Sequence, residues 1–232
     1  MLRGMAICFF IFPRIKSEAK KHRVQIWSQQ LVRICGVRVK MNLTSIPTGA
    51  VIVANHISWL DIFVINSLAP CRFVAKSDIR SWPMLGWLAE QAGTIYISRG
   101  SKADVKRIYQ YLIDQIEQGE RVAFFPEGTT ASQGEVLPFH ANLFEAAIHA
   151  GVPILPFALR YVDQSGKTHP AVDFIGDMTF ATSMVNVLSA DDIVAELEVL
   201  ELIPSAGAHR RELAVAAHKA VAEALQVNVD SP

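Results

Sequence analysis

The sequence predicts an α/β fold. It reads as a single domain with a mixed, largely parallel central sheet flanked by helices, preceded by an N-terminal amphipathic helical segment. Three observations carry this prediction. From residue 49 onward, short apolar runs rich in strand formers alternate with longer helical stretches. Late in the chain, Ala195–Leu202 largely alternates between apolar and acidic residues, the pattern of a strand with one wet face. The first 40 residues carry nine Lys or Arg and one acid, about +8, and leave the remaining 192 residues at about −8 in a chain of zero net charge.

The elements follow in order. Met5–Phe12 is an apolar run too short to cross a bilayer, and no small-residue cleavage site follows it. Ser17–Cys35 has helical periodicity, with Val24, Trp27, Leu31 and Ile34 on one face and His22, Gln25, Gln29 and Arg33 on the other. A basic amphipathic helix of this kind suits either an anionic lipid surface or the flank of a folded domain, and its periodicity does not choose between them. Ala50–Ala54 reads as a buried strand ending at Asn55-His56, followed by a helix from Asp61 to about Leu68. Phe73–Ala75 is a second strand, and Asp78 a cap for a helix toward Glu90. Thr94–Ile97 is a third strand. Ser101 caps a helix to about Gln118, with Val105, Ile108, Leu112 and Ile116 facing inward. Arg121–Phe125 is a fourth strand, stopped by Pro126. A helix over Asn142–Ala150 leads through Val152–Pro156 into a strand reaching Tyr161. The alternating segment Ala195–Leu202 is expected at the sheet edge, and His209–Leu225 is a closing helix. The division expected is 1–40 as basic, membrane-contacting helices and 41–232 as the α/β domain, with its motifs in about 50–160.

Composition narrows the class. Apolar residues make up 51% and charged residues 19%, with a mean hydropathy of +0.26. That excludes disordered, collagen-like and coiled-coil chains. No uninterrupted apolar stretch is long enough for a spanning helix. Three cysteines without a CxxC pair disfavour a disulfide framework or a structural zinc site, and suit a reducing compartment. GxSxG, GxGxxG, the P-loop, HExxH and the EF-hand loop are all missing, which disfavours serine hydrolases, dinucleotide enzymes, NTPases, zinc proteases and EF-hand calcium binders.

Three segments remain that can carry chemistry. In Asn55-His56-Ile-Ser-Trp-Leu-Asp61, a histidine at a strand end is followed five residues later by an aspartate. That pair can act as a base and its orienter: the carboxylate fixes one ring N–H and stabilises the imidazolium, and the other nitrogen takes a proton. A helix-capping Asp beside a partly buried His is the plainer reading. Phe125-Pro-Glu127-Gly128-Thr129-Thr130 follows a strand with a carboxylate, a glycine, two hydroxyls and backbone amides able to cradle an anion; an ordinary strand-ending turn would look the same. In Gly93–Gly100, Arg99 follows a strand where its planar fork can grip a phosphate, or simply make a surface ion pair.

Together these segments resemble the glycerolipid acyltransferase family with its HxxxxD motif, the lysophosphatidate-type enzymes of bacterial phospholipid synthesis. NHISWLD at 55–61, GTIYISR at 93–99, FPEGTT at 125–130 and VPILP at 152–156 are similar to its four blocks, in order. The resemblance covers residues 20–160 well and the C-terminal third loosely. It implies His56 as general base and Asp61 as its partner. It also implies Arg99, Glu127, Gly128 and Thr129 around the acceptor head group, Lys76 as added positive charge, and VPILP as packing on the acyl-donor side. The activity implied is O-acyl transfer from acyl-CoA or acyl carrier protein to a lysophospholipid hydroxyl, such as 1-acylglycerol-3-phosphate, with no metal and no cofactor beyond the thioester co-substrate. The partners implied are a membrane phospholipid surface, the lysolipid and the thioester, with no nucleic acid, and the location is peripheral or monotopic on the cytoplasmic face of the inner membrane. Ser98 stands where the family often has Asp or Asn, and His140 where many members have Lys or Arg. Both departures bear on the acceptor, and leave open another lysolipid such as lyso-ornithine lipid. The same residues would also suit a thioesterase that passes the acyl group to water, or a catalytically silent lipid-binding module.

Overall fold

Residues 14, 16–43, 45–77, 80, 85–97 and 102–227 are described by the computed structural model. The Met5–Phe12 run, the expected caps Asp78 and Ser101, and Ser98 with Arg99 lie outside them. Seven strands form one sheet in the order β1-β7-β6-β2-β5-β3-β4. The strands are β1 (Arg38–Met41), β2 (Val51–Ala54), β3 (Arg72–Lys76), β4 (Ile95–Ile97), β5 (Val122–Phe124), β6 (Ile154–Val162) and β7 (Val194–Val199). Among these described strands the β6–β7 pair is antiparallel and the rest are parallel. The helices are α1 (Ser17–Ile34), α2 (Leu60–Leu68), α3 (Leu85–Gln91), α4 (Lys102–Glu117), α5 (Phe144–His149), α6 (Phe180–Leu188) and α7 (Arg210–Ala224).

Side chains alternate across the pleat, so each central strand feeds two cores. Ile52 and Ala54 of β2 join Ala123, Leu155, Phe157 and Tyr161 beneath α1, α2 and α6. Val51 and Val53 turn the other way, with Val122, Phe124 and Ile154, beneath α4, α5 and α7. All four β2 residues are therefore buried, as a strand covered on both faces requires.

The N-terminal helix packs on the domain. Its buried residues are Val24, Ser28 and Val32, while Ile34, expected on that face, is 74% exposed. The inward stripe runs at four-residue steps because α1 lies along α2, where Trp27 meets Phe63 edge-to-face. Polar residues share that contact: Gln25 and Gln29 donate from Nε2 to the carbonyls of Ser67 and Leu68, capping the otherwise unpaired end of α2. Lys21 bonds Glu18 and Glu120, and Arg72 bonds the same Glu120, so part of the basic charge is neutralised within the fold. α1 stops at Gly36, whose φ of +69° permits the Val37 N–H to reach the Val32 carbonyl and the Gly36 N–H that of Arg33.

This turn delivers Val37 into the core and starts β1, a strand absent from the sequence prediction. β1 pairs parallel with β7, so β7 lies one strand in from the edge position expected for it. Its wet face has a different cause: Glu196 is held between Lys40 of β1 and Arg160 of β6 at the surface. The expected boundary at residue 40 consequently runs through a strand. The expected helix over 142–150 begins as a 3₁₀ turn, Ala141–Leu143, before becoming α5.

Candidate active site

The parallel strands β2, β5 and β3 end at one edge of the sheet, where ligands of open α/β folds are bound. At the end of β2 the chain leaves the sheet at Asn55. This residue is buried, and its amide pairs with both the N–H and the C=O of Leu159 in β6. That exchange continues the ladder through a side chain and fixes where the next residue starts.

The next residue is His56. Its Nδ1 lies 2.8 Å from Oδ2 of Asp61, which sits in the first turn of α2. Asp61 is fully buried and its charge is well compensated: Oδ2 also accepts the N–H groups of Ile57 at 2.7 Å and Ser58 at 2.9 Å, and Oδ1 accepts the Tyr161 hydroxyl at 2.8 Å. A helix N-terminus adds favourable potential for the anion. The five-residue spacing therefore lets a carboxylate of the first turn fold back over the loop that precedes its own helix. Engaged at Nδ1, the imidazole keeps Nε2 for a reactant, and 18% of the His56 side chain is exposed.

A second ring fixes the imidazole plane. Phe125, next after β5, stacks on His56 with centroids 3.9 Å apart and planes 6° from parallel, and Phe73 stacks on Phe125 in turn.

The strand-ending loop of β5 locks onto the same histidine. Glu127 Oε1 accepts the His56 N–H at 2.7 Å, Oε2 accepts the Leu137 N–H at 3.0 Å, and the Ala131 N–H donates to the His56 carbonyl. Burial raises the Glu127 carboxyl to about 7; the two amide donors oppose this and the Asp61 charge reinforces it. Glu127, expected on the acceptor head group, thus has both oxygens on backbone donors. Gly128 takes φ +70°, and a Cβ there would meet the His140 ring at 3.3 Å. His140 accordingly borders this loop, and its own N–H returns to the Pro126 carbonyl. Thr129 is exposed, and Thr130 donates its hydroxyl to the Phe174 carbonyl.

Of the residues singled out from sequence, His56, Asp61, Glu127 and Gly128 come together. Lys76 ends β3 at the same sheet edge, exposed. Arg99 lies outside the described residues. Val152–Pro156 leads into β6, with Ile154 and Leu155 buried in the sheet core. Sequence reading missed Asn55, Phe125 and Tyr161. Phe125 opens the FPEGTT block, whereas Tyr161, 100 positions beyond Asp61, gives no local signal. A cleft lined by Lys20, Lys21, Arg72 and Glu120 opens near the starts of β3 and β5, away from this edge. Among the described residues no cluster of His, Cys, Asp and Glu fits a metal ion.

Residues 37–160 match the family described as Acyltransferase, a span that includes His56, Asp61 and the β5 loop. This chain belongs to the acyltransferase family. Its curated relatives include the lyso-ornithine lipid O-acyltransferase of Pseudomonas aeruginosa, 41% identical over 75% of this chain and 66% of that one. They also include the 1-acyl-sn-glycerol-3-phosphate acyltransferase of Neisseria gonorrhoeae, 38% identical over 66% of this chain and 59% of the relative. This family member thus spans about two thirds or less of the length of these relatives. The crystal structure of the 1-acyl-sn-glycerophosphate acyltransferase of Thermotoga maritima superposes over 98% of this chain and 89% of that one. Its TM-score is 0.66 at 20% identity, which establishes the shared fold.

Proposed function

We propose that this acyltransferase moves an acyl chain from acyl-CoA or acyl carrier protein to the free hydroxyl of a lysolipid, with 1-acylglycerol-3-phosphate as acceptor and phosphatidate as product. The observation that carries the proposal is the His56–Asp61 pair, with Nδ1 engaged at 2.8 Å and Nε2 left for a substrate. In this reading Nε2 takes the hydroxyl proton as the oxygen attacks the thioester carbonyl. The new ester C–O bond forms, the C–S bond breaks, and the imidazolium returns the proton to the departing thiolate. Asp61 stabilises the imidazolium. Amides of the 127–130 loop serve the oxyanion that develops on the carbonyl. Gly128, Thr129 and Lys76 are assigned to the head group, as is Arg99 from its place in the sequence, and Glu127 acts as a clamp on the His56 loop. The chemistry calls for no metal or resident cofactor, only the thioester as co-substrate.

A second acceptor is favoured by one observation: the Pseudomonas relative is named for lyso-ornithine lipid. The test is an acceptor panel run on wild type and Arg99→Lys in one detergent. If the acceptor is lysophosphatidate, a lysine loses the two-pronged grip on a phosphate dianion. The apparent KM for lysophosphatidate then rises at least about tenfold while that for the thioester holds. A wild-type preference for lyso-ornithine lipid, with the variant equally impaired on every acceptor, replaces lysophosphatidate and leaves the transfer chemistry in place. Hydrolysis of the thioester with no acylated lipid formed overturns acyl transfer itself.

A bilayer-borne acceptor asks for membrane contact, and none of the described helices is long and apolar enough to cross a membrane. We therefore assign a peripheral or monotopic position on the cytoplasmic face of the inner membrane, with the basic N-terminal segment as the contact. Removing residues 1–40 would strip α1 from α2 and β1 from β7, so the informative deletion is 1–13. It is expected to shift the protein toward the soluble fraction of a lysate with acyl transfer to detergent-dispersed acceptor retained. Unchanged membrane fractionation would remove the Met5–Phe12 run from the contact.

A further inference from the structure

We propose that Tyr161 is a positioning residue for acyl transfer, holding the Asp61 carboxylate so that its second oxygen meets Nδ1 of His56; the inference rests on the base role given to His56 above. Tyr161 is fully buried on β6, and its hydroxyl donates to Asp61 Oδ1 at 2.8 Å. The other oxygen, Oδ2, carries the His56 ring and two backbone amides. Without Tyr161 the carboxylate is anchored through one oxygen only and is free to twist about it. With Tyr161 both oxygens are pinned, and the plane that receives the ring N–H is set. The backbone that carries the phenol is itself held: the Tyr161 N–H donates to Gln133 Oε1 at 2.8 Å, and its carbonyl accepts the His169 N–H at 2.8 Å. Burial and the adjacent Asp61 charge push the Tyr161 hydroxyl well above its ordinary pKa, so it remains a donor across the working range.

The hydroxyl also withdraws charge. A donor on Oδ1 disperses the negative charge that Asp61 presents to the imidazole, and removing it strengthens the field at His56. Three other titratable groups bear on the arrangement: Glu127 from the β5 loop, the Cys35 thiol near the end of α1 behind Tyr161, and His140 beside Gly128. All three are common to wild type and a Tyr161 variant, so a difference between the two isolates the phenol. A purely space-filling tyrosine would be replaced by phenylalanine without consequence at His56.

The experiment is Tyr161→Phe, with Asp61→Asn for reference and His56→Ala to assign the His56 signals. The melting temperature verifies the fold. Steady-state assays of the full chain with a saturating thioester and lysophosphatidate or lyso-ornithine lipid then separate kcat from KM. In parallel, 15N NMR follows the titration of the His56 ring, a readout that needs no turnover. Tyr161→Phe is expected to lower kcat about tenfold, leave both KM values within about twofold, and move the His56 titration midpoint and the acid limb of the rate profile upward by about half a pH unit. Loss of kcat together with the upward midpoint supports the assignment. An unchanged midpoint with wild-type kcat in the folded variant overturns it, as does a change confined to KM. If the wild-type chain acylates neither lysolipid, the proposed function fails, and the NMR midpoint alone still decides whether Tyr161 controls the His56–Asp61 pair.

Discussion

Replacing His56 with alanine is expected to lower acyl transfer by about 10²–10⁴-fold, the range of a positioned general base, with the melting temperature close to wild type. The ring lies at the end of β2 and is part-exposed, and Asp61 keeps its three other donors when the ring is removed. Both KM values should stay near wild type, since the step removed is proton transfer. Asp61→Asn is expected to be comparably severe in kcat and, unlike His56→Ala, to lower stability. An amide cannot accept on both sides, so one of the donors now at Asp61, from Ile57, Ser58, His56 or Tyr161, would face an NH₂ group. An unsatisfied buried donor costs about 1–3 kcal/mol. A coupled thioester assay and a thermal melt read both effects. Near-wild-type turnover in either variant removes the base–orienter pair from the mechanism.

Glu127→Ala is expected to cost about 10²-fold in kcat, because the His56 and Leu137 amides lose their acceptor and the loop carrying the base is free to shift. The KM split discriminates two roles. A clamp on the histidine loop lowers kcat and spares the acceptor KM, whereas a head-group ligand raises that KM. Glu127 also carries a pH signature. Its carboxyl is held at about 7 against an ordinary 4.5, with burial as the main cause. Between those values the folded protein keeps a proton that the unfolded chain has released, so stability falls as pH rises from 4.5 to 7. The group contributes a change of about 3 kcal/mol across that window. Urea unfolding at pH 4.5 and 7 should accordingly differ less in Glu127→Gln than in wild type. An equal difference in both proteins removes the shifted carboxyl from the account.

The sequence by itself determined the alternation of strands and helices, the burial of β2, and the candidate base and its orienter. These are local properties: the run Val51–Ala54 has no polar side, and five residues from His56 to Asp61 span a strand end and the first turn of a helix. The order of four blocks made the family legible as well, because residue types and their order are properties of the sequence alone. What the sequence left open depends on contacts between distant segments. Val24, Trp27, Leu31 and Ile34 share a helical face on paper, yet α2 selects Val24, Ser28 and Val32 for burial and leaves Ile34 in water. The alternation in β7 predicted an edge, but β1 covers it, and the charges on its wet face answer to Lys40 and Arg160. Four residues of β1 are too few to show a period of their own. At the site, residue types announced His56 and Asp61, while only the packed sheet turned Glu127 from an expected ligand of substrate into a partner of two backbone amides. The same packing brought Tyr161 across 100 positions to Asp61. Periodicity specifies which face of an element is apolar; the neighbour that the fold supplies decides what that face, and each buried polar group, will touch.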